Sequence, residues 1–246
     1  MQTRKKAVPK VERAGASVEE VREQVRTMIQ NGELRPGEHI NEQALALQLR
    51  VGRAMAREAL RSLEQAGLVR IIPNRGAEVC KLALEDALHL YDIRAGLARS
   101  SGRLITSRIT AEDEKMLLST LDEMDEAANQ RDAVRYHELN EVFHQFLMQA
   151  TKNPRLVALN AVVEDELRLY LHKGVFTLAQ IRISMAEHRE ILTAIMNGES
   201  ERAARAFEAH ILTGKQRMLD TIGAQTRDAR SSDSSDTSGS QRDYYG

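Results

Sequence analysis

The sequence predicts a mainly α-helical protein, in which an N-terminal winged helix-turn-helix is followed by an antiparallel six-helix bundle. Two observations predict this fold. Between residues 41 and 67, a helix of about eight residues, a three-residue turn and a second helix follow one another, and two short strands come after them. From residue 84 to residue 222, apolar residues recur at helical spacing with no strand pattern and only one proline.

Length and composition bound the class of protein. The chain has 246 residues, of which 42% are hydrophobic and 29% charged, enough for one or two ordinary cores. No run approaches the roughly 18 apolar residues that span a bilayer, and no apolar block of signal-peptide type follows the start. Cys80 is the single cysteine, which excludes an internal disulfide and a thiolate metal cluster. We therefore expect a cytoplasmic protein in a reducing compartment.

Charge is divided unevenly along the chain. Residues 1–81 hold 15 Lys/Arg against 10 Asp/Glu, for a net +5, whereas residues 82–222 hold 17 against 22, for −5. The remaining residues hold 3 against 4. A basic front and an acidic body indicate a head that binds a polyanion, carried by a part that nucleic acid does not attract.

Four segments follow from this. Residues 1–16 are basic and lack a hydrophobic period, so they are predicted to be a flexible arm. Residues 17–81 form the winged helix-turn-helix, and residues 82–222 form the helical domain. Residues 223–246 are rich in Ser, Asp and Gly, and they are predicted to be a disordered tail because they have little apolar content to offset the entropy of ordering.

Local start and stop signals place the helices of the head. Ser17 is an N-cap with Glu20 three residues later, and Gly32 ends the first helix. Asn41 caps a short second helix, which we expect to be largely enclosed because its leucines cannot share one stripe. The third helix starts near Gly52 or Arg53 and ends at Gly67.

The wing and the bundle follow the same logic. Residues 68–72 and 77–81 are predicted to be strands joined across 73–76, where Gly76 supplies the positive backbone angle of a tight turn. Thr110, Asn153-Pro154 and Asn197-Gly198 mark helix boundaries. The six predicted helices span residues 84–107, 111–129, 132–151, 154–173, 178–197 and 199–222.

Three histidines of the helical half are candidate metal ligands. Asn140 precedes His144 by four residues, so both lie on one helix face, and His188 and His210 lie on two further helices. Groups from three helices can surround one ion inside a bundle. Spacing alone leaves the alternative open that these are single histidines, each exposed or hydrogen-bonded separately.

At this point the sequence resembles a known family. The front resembles the DNA-binding domain of GntR-family bacterial transcription regulators, and the rest resembles their FadR-type C-terminal (FCD) domain, most closely in the shorter, VanR-like branch. The residues that carry the resemblance are Gly32 to Gly37, Asn41-Glu42, Leu45-Ala46, Leu49, Arg53, Arg57 to Arg61, Leu63-Glu64, Gly67 to Val69, Arg75-Gly76, Asn140 to His144, Glu187 to Leu192, Ala194-Ile195, Ala203 and His210.

The resemblance implies a homodimer that reads a short inverted repeat of double-stranded DNA and binds a divalent metal and a small organic acid in its C-terminal domain. By carry-over, His144, His188 and His210 are metal ligands, and Asn140 stands where the family usually has an aspartate. The neutral amide of Asn140 offers the cation no charge, and Glu141 and His137, near the same helix face, are the fallback ligands. Zinc is the first expectation, and nickel or manganese also suits nitrogen and oxygen ligands.

The resemblance also assigns contacts to DNA and effector. Arg53 and Arg57 lie one turn apart on the third helix, where each can pair with N7 and O6 of a guanine. The further DNA-binding candidates are Gln43, Gly52, Arg75 and Gly76. Departures from the family pattern are Gly52 in place of a Ser/Thr cap, and Met55-Ala56 in place of Pro-Val. For the effector carboxylate the candidate is Arg94.

Several interpretations stay open from sequence. A repressor released by its effector is favoured, and activation is compatible with every residue named above. A direct metal sensor, in which the ion itself is the signal, is one alternative. A metal-dependent hydrolase with Glu187 or Glu141 as general base is another, although no nucleophile or phosphate-binding loop accompanies the histidines.

Overall fold

The chain is divided into two compact units, Met1–Leu82 and Ala83–Gly246. The structure is a computed structural model, and it describes residues 16–73, 75–170 and 177–235. The division falls one residue beyond the predicted boundary at residue 81. The predicted basic arm, apart from residue 16, lies outside the described residues. Within the described part of the chain, no helix has the length and apolar content needed to cross a membrane.

The described residues of the first unit form three helices and three short strands. Its elements are α1 (Val18–Gln30), β1 (His39–Ile40), α2 (Glu42–Leu49), α3 (Arg53–Gln65), β2 (Val69–Ile72) and β3 (Gly76–Val79). The Ser17 hydroxyl accepts a hydrogen bond from the backbone N–H of Glu20, whose carboxylate accepts one from the N–H of Ser17, as the capping box predicts. The Asn41 side chain accepts hydrogen bonds from two backbone N–H groups of α2.

Helices α1 and α3 form the centre of the small core. Val21 and Val25 of α1 are fully buried, as are Ala59 and Leu63 of α3, because both helices repeat apolar residues every three or four positions. Helix α2 is less enclosed than predicted. Only its central Leu45 and Ala46 are buried, while the Leu47 side chain is 73% exposed. Only one side of this helix packs against the core, and Leu47 lies on the other side.

The wing has three strands where the sequence predicts two. The strand order is β1-β3-β2, with Ile40 paired to Ala77 in an antiparallel ladder. Two residues are too few to show the period-2 pattern that identifies a strand, so β1 has no signature in the sequence. Gly76 has a φ of 100°, and a Cβ added there would lie 2.3 Å from the Ile40 carbonyl oxygen. Glycine is required at this position because the backbone of β1 occupies the space of a side chain.

In the part of the second unit that the structure describes, the six helices that the sequence predicts are present. They are α4 (Leu84–Ile105), α5 (Ala111–Asn129), α6 (Ala133–Ala150), α7 (Pro154–Tyr170), α8 (Leu178–Met196) and α9 (Ser200–Ser235). The predicted end of the last helix at residue 222 is too early. Residues 224–235 contain neither glycine nor proline, the two residues that disfavour a helix most, and α9 continues to Ser235. Residues 236–246 of the predicted tail lie outside the described residues.

Helices α4 and α9 cross at small residues. A Cβ added to Gly102 would lie 2.7 Å from backbone atoms of Ala203 and Ala204, both of which are fully buried. Real Cβ atoms do not approach backbone so closely, so the two helix backbones are as near as their atoms allow. This crossing holds α9 against the bundle, and α9 carries one of the candidate metal ligands.

We expect Gly102→Ala to lower the free energy of unfolding by about 1–3 kcal/mol, because the added methyl group must push two helix backbones apart. Gly96→Ala is the matched control. Gly96 lies in the same helix with open space around its Cβ position, so alanine there should stabilise the helix by about 0.5–1 kcal/mol. Chemical denaturation followed by circular dichroism, at one protein concentration, measures both. Equal stability of the two variants would contradict the close crossing.

Candidate metal centre and nucleic-acid interface

Three buried histidines from three helices meet at one point in the second unit. His144 lies on α6, His188 on α8 and His210 on α9, and all three side chains are buried. The Nε2 atom of His210 lies 3.3 Å from Nε2 of His188 and 3.1 Å from Nε2 of His144. The structure therefore brings together three of the four residues singled out as ligands, although they are up to 66 positions apart in sequence.

The distances between these nitrogens fit a shared ion. Nitrogens bound to one zinc ion at about 2.0–2.1 Å lie about 2.8–3.4 Å apart across octahedral and tetrahedral angles. Each histidine offers one ligand atom, and the three atoms lie within 4.8 Å of one another. Imidazole nitrogens suit zinc, copper, iron and nickel. The cluster has the donor type and the spacing of a transition-metal site.

A carboxylate fixes the orientation of one ligand. Nδ1 of His210 lies 2.7 Å from Oε2 of Glu187, so the ring donates from Nδ1 and its Nε2 lone pair points toward the other histidines. Arg217 donates from Nη1 to the same carboxylate oxygen at 3.2 Å. Burial alone would raise the pKa of Glu187, but the hydrogen bond with His210 and the charge of Arg217 outweigh it and hold the pKa below its usual range. Such carboxylate and histidine pairs support ligands in metal sites.

Burial keeps the three imidazoles neutral. Loss of solvent is the main reason why the pKa of His144 and of His188 falls well below its usual value, and nearby charges lower it further. Burial also lowers the pKa of His210, with Glu187 opposing the shift. A neutral imidazole has a free lone pair, which is the form that binds a metal.

Two aromatic rings pack against the cluster. The ring of Phe143 packs 4.7 Å from that of His188, and the ring of Phe207 is stacked 5.9 Å from that of His144. Among the described residues, Nδ1 of His144 and Nδ1 of His188 have no hydrogen-bond partner. The histidines are thus held by packing as well as by Glu187, and the apolar walls strengthen electrostatic interactions inside the site.

Other residues named from the sequence take different places. Asn140 is half-buried one helical turn before His144. Nε2 of His137 lies 3.3 Å from the Glu141 carboxylate, and neither residue belongs to the histidine cluster. Glu187, considered from sequence as a general base, instead supports His210.

Two arginines lie close to the histidines. Arg94 on α4 donates from Nη2 to Glu164 at 2.9 Å, and both side chains are mostly buried. Arg217 shares the carboxylate oxygen of Glu187 with His210. Burial is the main cause that lowers the pKa of His144 and of His210, and the positive charges of Arg94 and Arg217 lower it further. Sequence reasoning missed Arg217. Arg217 follows His210 by seven residues, which places both side chains on one face of α9. This spacing could have indicated from the sequence that Arg217 lies near the histidines.

In the first unit, both predicted base-reading arginines project from the start of α3. The Arg53 and Arg57 side chains are exposed, and both bind the carboxylate of Glu42, the first residue of α2. Three residues, 50–52, separate the two helices, as predicted. Arg50 adopts the left-handed conformation, with a φ of 56°, and makes the sharp turn between them.

The remaining DNA-binding candidates surround this helix start. Gln43 is exposed in the first turn of α2, and Gly52 is the N-cap of α3 without a side-chain hydrogen bond. Arg75 is exposed beside the turn of the wing. Gly76 is half-buried against β1, so its side-chain position is closed by the protein itself.

A winged helix-turn-helix joined to an all-helical unit with a buried histidine cluster defines a class of protein, the bacterial transcription regulators with a DNA-binding head. Two family comparisons agree. The profile of the bacterial regulatory proteins, gntR family, matches residues 17–79, and the profile of the FCD domain matches residues 89–213. The chain belongs to the GntR family of transcription regulators, in the FadR-type group that carries an FCD domain.

Individual relatives agree with this assignment. The chain is 30% identical to the uncharacterized HTH-type transcriptional regulator YdhC of Bacillus subtilis (strain 168), over 76% of this chain and 84% of the relative. It is 31% identical to the Nta operon transcriptional regulator of Aminobacter aminovorans, over 78% and 90%. The solved structure of Escherichia coli McbR/YncC has the same fold, with a TM-score of 0.71 at 18% identity, over 83% of this chain and 98% of that one.

These relatives are regulators of transcription and not enzymes, which removes the hydrolase interpretation. Assignment to the VanR-like branch stays a prediction.

We expect Glu187→Gln to weaken metal binding by about 10- to 100-fold. The neutral amide oxygen of glutamine is a weaker acceptor for the Nδ1–H group of His210 than the carboxylate is, so the ring is held less firmly. Glu190→Gln is the matched control, since Glu190 lies on the same helix but pairs with Arg202 at the surface. Competition between each purified variant and a zinc chelator measures the affinity. The His144→Ala/His188→Ala double variant defines the zero level. Equal affinity in the Glu187→Gln and Glu190→Gln variants would contradict the supporting role of Glu187.

Proposed function

We propose that this regulator binds an inverted-repeat operator as a homodimer and is controlled by a small organic acid at a metal-containing site in its FCD domain. The observation that carries the proposal is the meeting of three buried, neutral imidazoles at the spacing of metal ligands. Three imidazoles and one further oxygen ligand, held on the helices of a bundle, form a preorganised site. Such a site, with the half-buried Arg94 and the buried Arg217 nearby, suits an anionic chelator.

The arginines at the start of α3 read the operator in this proposal. Arg53 and Arg57 are exposed, one helical turn apart, on the helix that enters the major groove. Each bidentate contact between an arginine and a guanine contributes about 1–3 kcal/mol of discrimination. Gln43 and the backbone at Gly52 lie at helix N-termini, where N–H groups bind phosphates. Arg75 on the wing supplies a further positive charge to the backbone of the adjacent groove.

A dimer follows from the size of the reading surface. One head presents one recognition helix, which contacts only a few base pairs. Two heads on a two-fold axis read two half-sites, and the operator then mirrors the symmetry of the protein. The helical unit carries exposed large apolar side chains on α4 and α7, including Ile93, Leu159 and Val162. Exposed apolar surface of this kind supports an interface between protomers.

The effector would bind between the histidine cluster and the neighbouring arginines. His144, His188 and His210 would hold a divalent ion, which would act as a Lewis acid toward the carboxylate of the effector. Asn140 is the fourth ligand in this proposal, and its amide oxygen leaves the charge of the ion uncompensated. Arg94 then binds the far end of the acid while keeping its partner Glu164.

Control requires that the acid bind the DNA-competent and DNA-incompetent states with different affinity. We favour repression relieved by the effector. In that arrangement, the same acid weakens operator binding and is bound less tightly when the operator is present, by the same factor.

We expect Arg57→Ala to reduce affinity for a specific operator by about tenfold or more per half-site at physiological salt, because a guanine contact is lost. The probe is the inverted-repeat duplex that the wild-type protein selects from a random DNA pool. Arg61→Ala is the control, since it removes an equal charge from the same helix. An Arg57→Ala variant that binds the selected duplex as tightly as wild type would overturn the proposed readout.

A thermal-shift screen tests the effector site. Small carboxylates should raise the melting temperature of zinc-loaded wild-type protein, because a ligand bound only by the folded state stabilises it. The His144→Ala/His188→Ala variant should show no shift, and Arg94→Ala should show a smaller one. Operator titrations with zinc alone and with zinc plus the acid follow. A response to zinc alone, with no effect of any acid, would replace this proposal with a direct metal sensor.

A further inference from the structure

Glu42 lies at the centre of the proposed reading surface. It is the first residue of α2, and its side chain is only 13% exposed, whereas those of Arg57 and Arg53 are 47% and 63% exposed. The two arginines belong to α3, so the carboxylate joins the two helices of the helix-turn-helix. A mostly covered carboxylate between two exposed cations indicates that the arginines, and not the carboxylate, face outward.

The contacts of Arg57 use only one edge of its guanidinium. Nε of Arg57 donates to both carboxylate oxygens of Glu42 at 3.1 Å, and Nη2 donates to Oε2 at 2.8 Å. Among the described residues, the end of the guanidinium formed by Nη1 and Nη2 stays available for a further contact. Two N–H groups at that end are what the N7 and O6 acceptors of guanine require. Glu42 can therefore hold Arg57 without blocking a contact to a base.

Arg53 has a weaker contact with the same group. Its Nε donates to Oε2 of Glu42 at 3.3 Å. The hydrogen bond with Arg57 is the main reason why the pKa of Glu42 is below its usual value, in spite of partial burial. The carboxylate is ionised at neutral pH and places a negative charge beside the recognition helix.

We propose that Glu42 is a positioning and specificity-determining residue, which aims the guanidinium of Arg57 at a base edge and discourages binding to phosphates alone. This inference rests on the proposed readout by Arg53 and Arg57. Fixing one edge of a flexible arginine before binding reduces the ordering cost of a specific contact. The negative charge of Glu42 also favours specific over non-specific binding. Non-specific affinity for DNA comes almost entirely from phosphate contacts, and the carboxylate repels phosphates.

The test compares two duplexes of equal length and composition. One is the inverted repeat selected from a random pool by the wild-type protein, and the other is its scrambled version. Glu42→Gln keeps the shape of the side chain and removes its charge. We expect it to bind the selected duplex more weakly and the scrambled duplex more tightly, so that the ratio of the two affinities falls by about tenfold.

Glu58→Gln is the matched control. Glu58 is an exposed carboxylate on α3 that pairs with Arg61 and not with Arg53 or Arg57. Its replacement changes the net charge of the head equally, so it should strengthen binding to both duplexes together and leave the ratio unchanged. Glu42→Asp, which keeps the charge but shortens the reach, should give a fall smaller than that of Glu42→Gln. In the Arg57→Ala background, Glu42→Gln should lower the ratio much less than in wild type.

Four results would overturn the inference. Equal loss of affinity for both duplexes would assign Glu42 a merely structural role. Tighter binding of the selected duplex by Glu42→Gln would mean that the carboxylate competes with DNA for the arginines. A full affinity ratio in Arg57→Ala would overturn the readout itself, whereas a ratio lost in Arg57→Ala but kept in Glu42→Gln would refute only the role of Glu42.

Discussion

Burial of three neutral imidazoles is the constraint on which the second unit depends. A histidine in a core loses its hydration, so each ring nitrogen without a partner costs free energy. Here His144, His188 and His210 direct Nε2 toward one another, and Glu187 satisfies the remaining nitrogen of His210. The helices α6, α8 and α9 must therefore keep their relative heights and rotations. A shift of one helix by a single residue would turn its imidazole away from the other two.

The same use of a carboxylate to orient a functional group occurs in both units. Glu187 holds His210 and is itself held by Arg217, so that the lone pair of the histidine has a fixed direction. Glu42 holds Arg57 by one edge of its guanidinium. In each case the residue that would contact the ligand is placed by a neighbour that does not contact it. Preorganisation of this kind lowers the entropy that binding must offset.

The sequence was sufficient for the elements whose local signals are strong. Ser17, Asn41 and Thr110 each cap a helix where they were expected to, and all six helices of the bundle begin within one residue of their predicted starts. The family resemblance predicted that the histidines meet, because their spacing in the sequence does not determine how the helices are rotated relative to one another. The contacts of Glu187 and Glu42 were not predictable, because they depend on how helices cross. Strand β1 was not predicted because its two residues are identified as a strand only by their pairing with β3.

The pairing of β1 with β3 has a consequence for exchanging DNA specificity between proteins. Ile40 pairs with Ala77 in the wing and directly precedes Asn41, the cap of α2. Gly76 closes against the same strand. The wing is thus hydrogen-bonded to the residue before the cap of α2, and the wing and the helix-turn-helix form one structural unit. A chimera that grafts only residues 53–65 keeps its original wing in register, whereas one that cuts between residues 40 and 41 separates two parts that fold against each other.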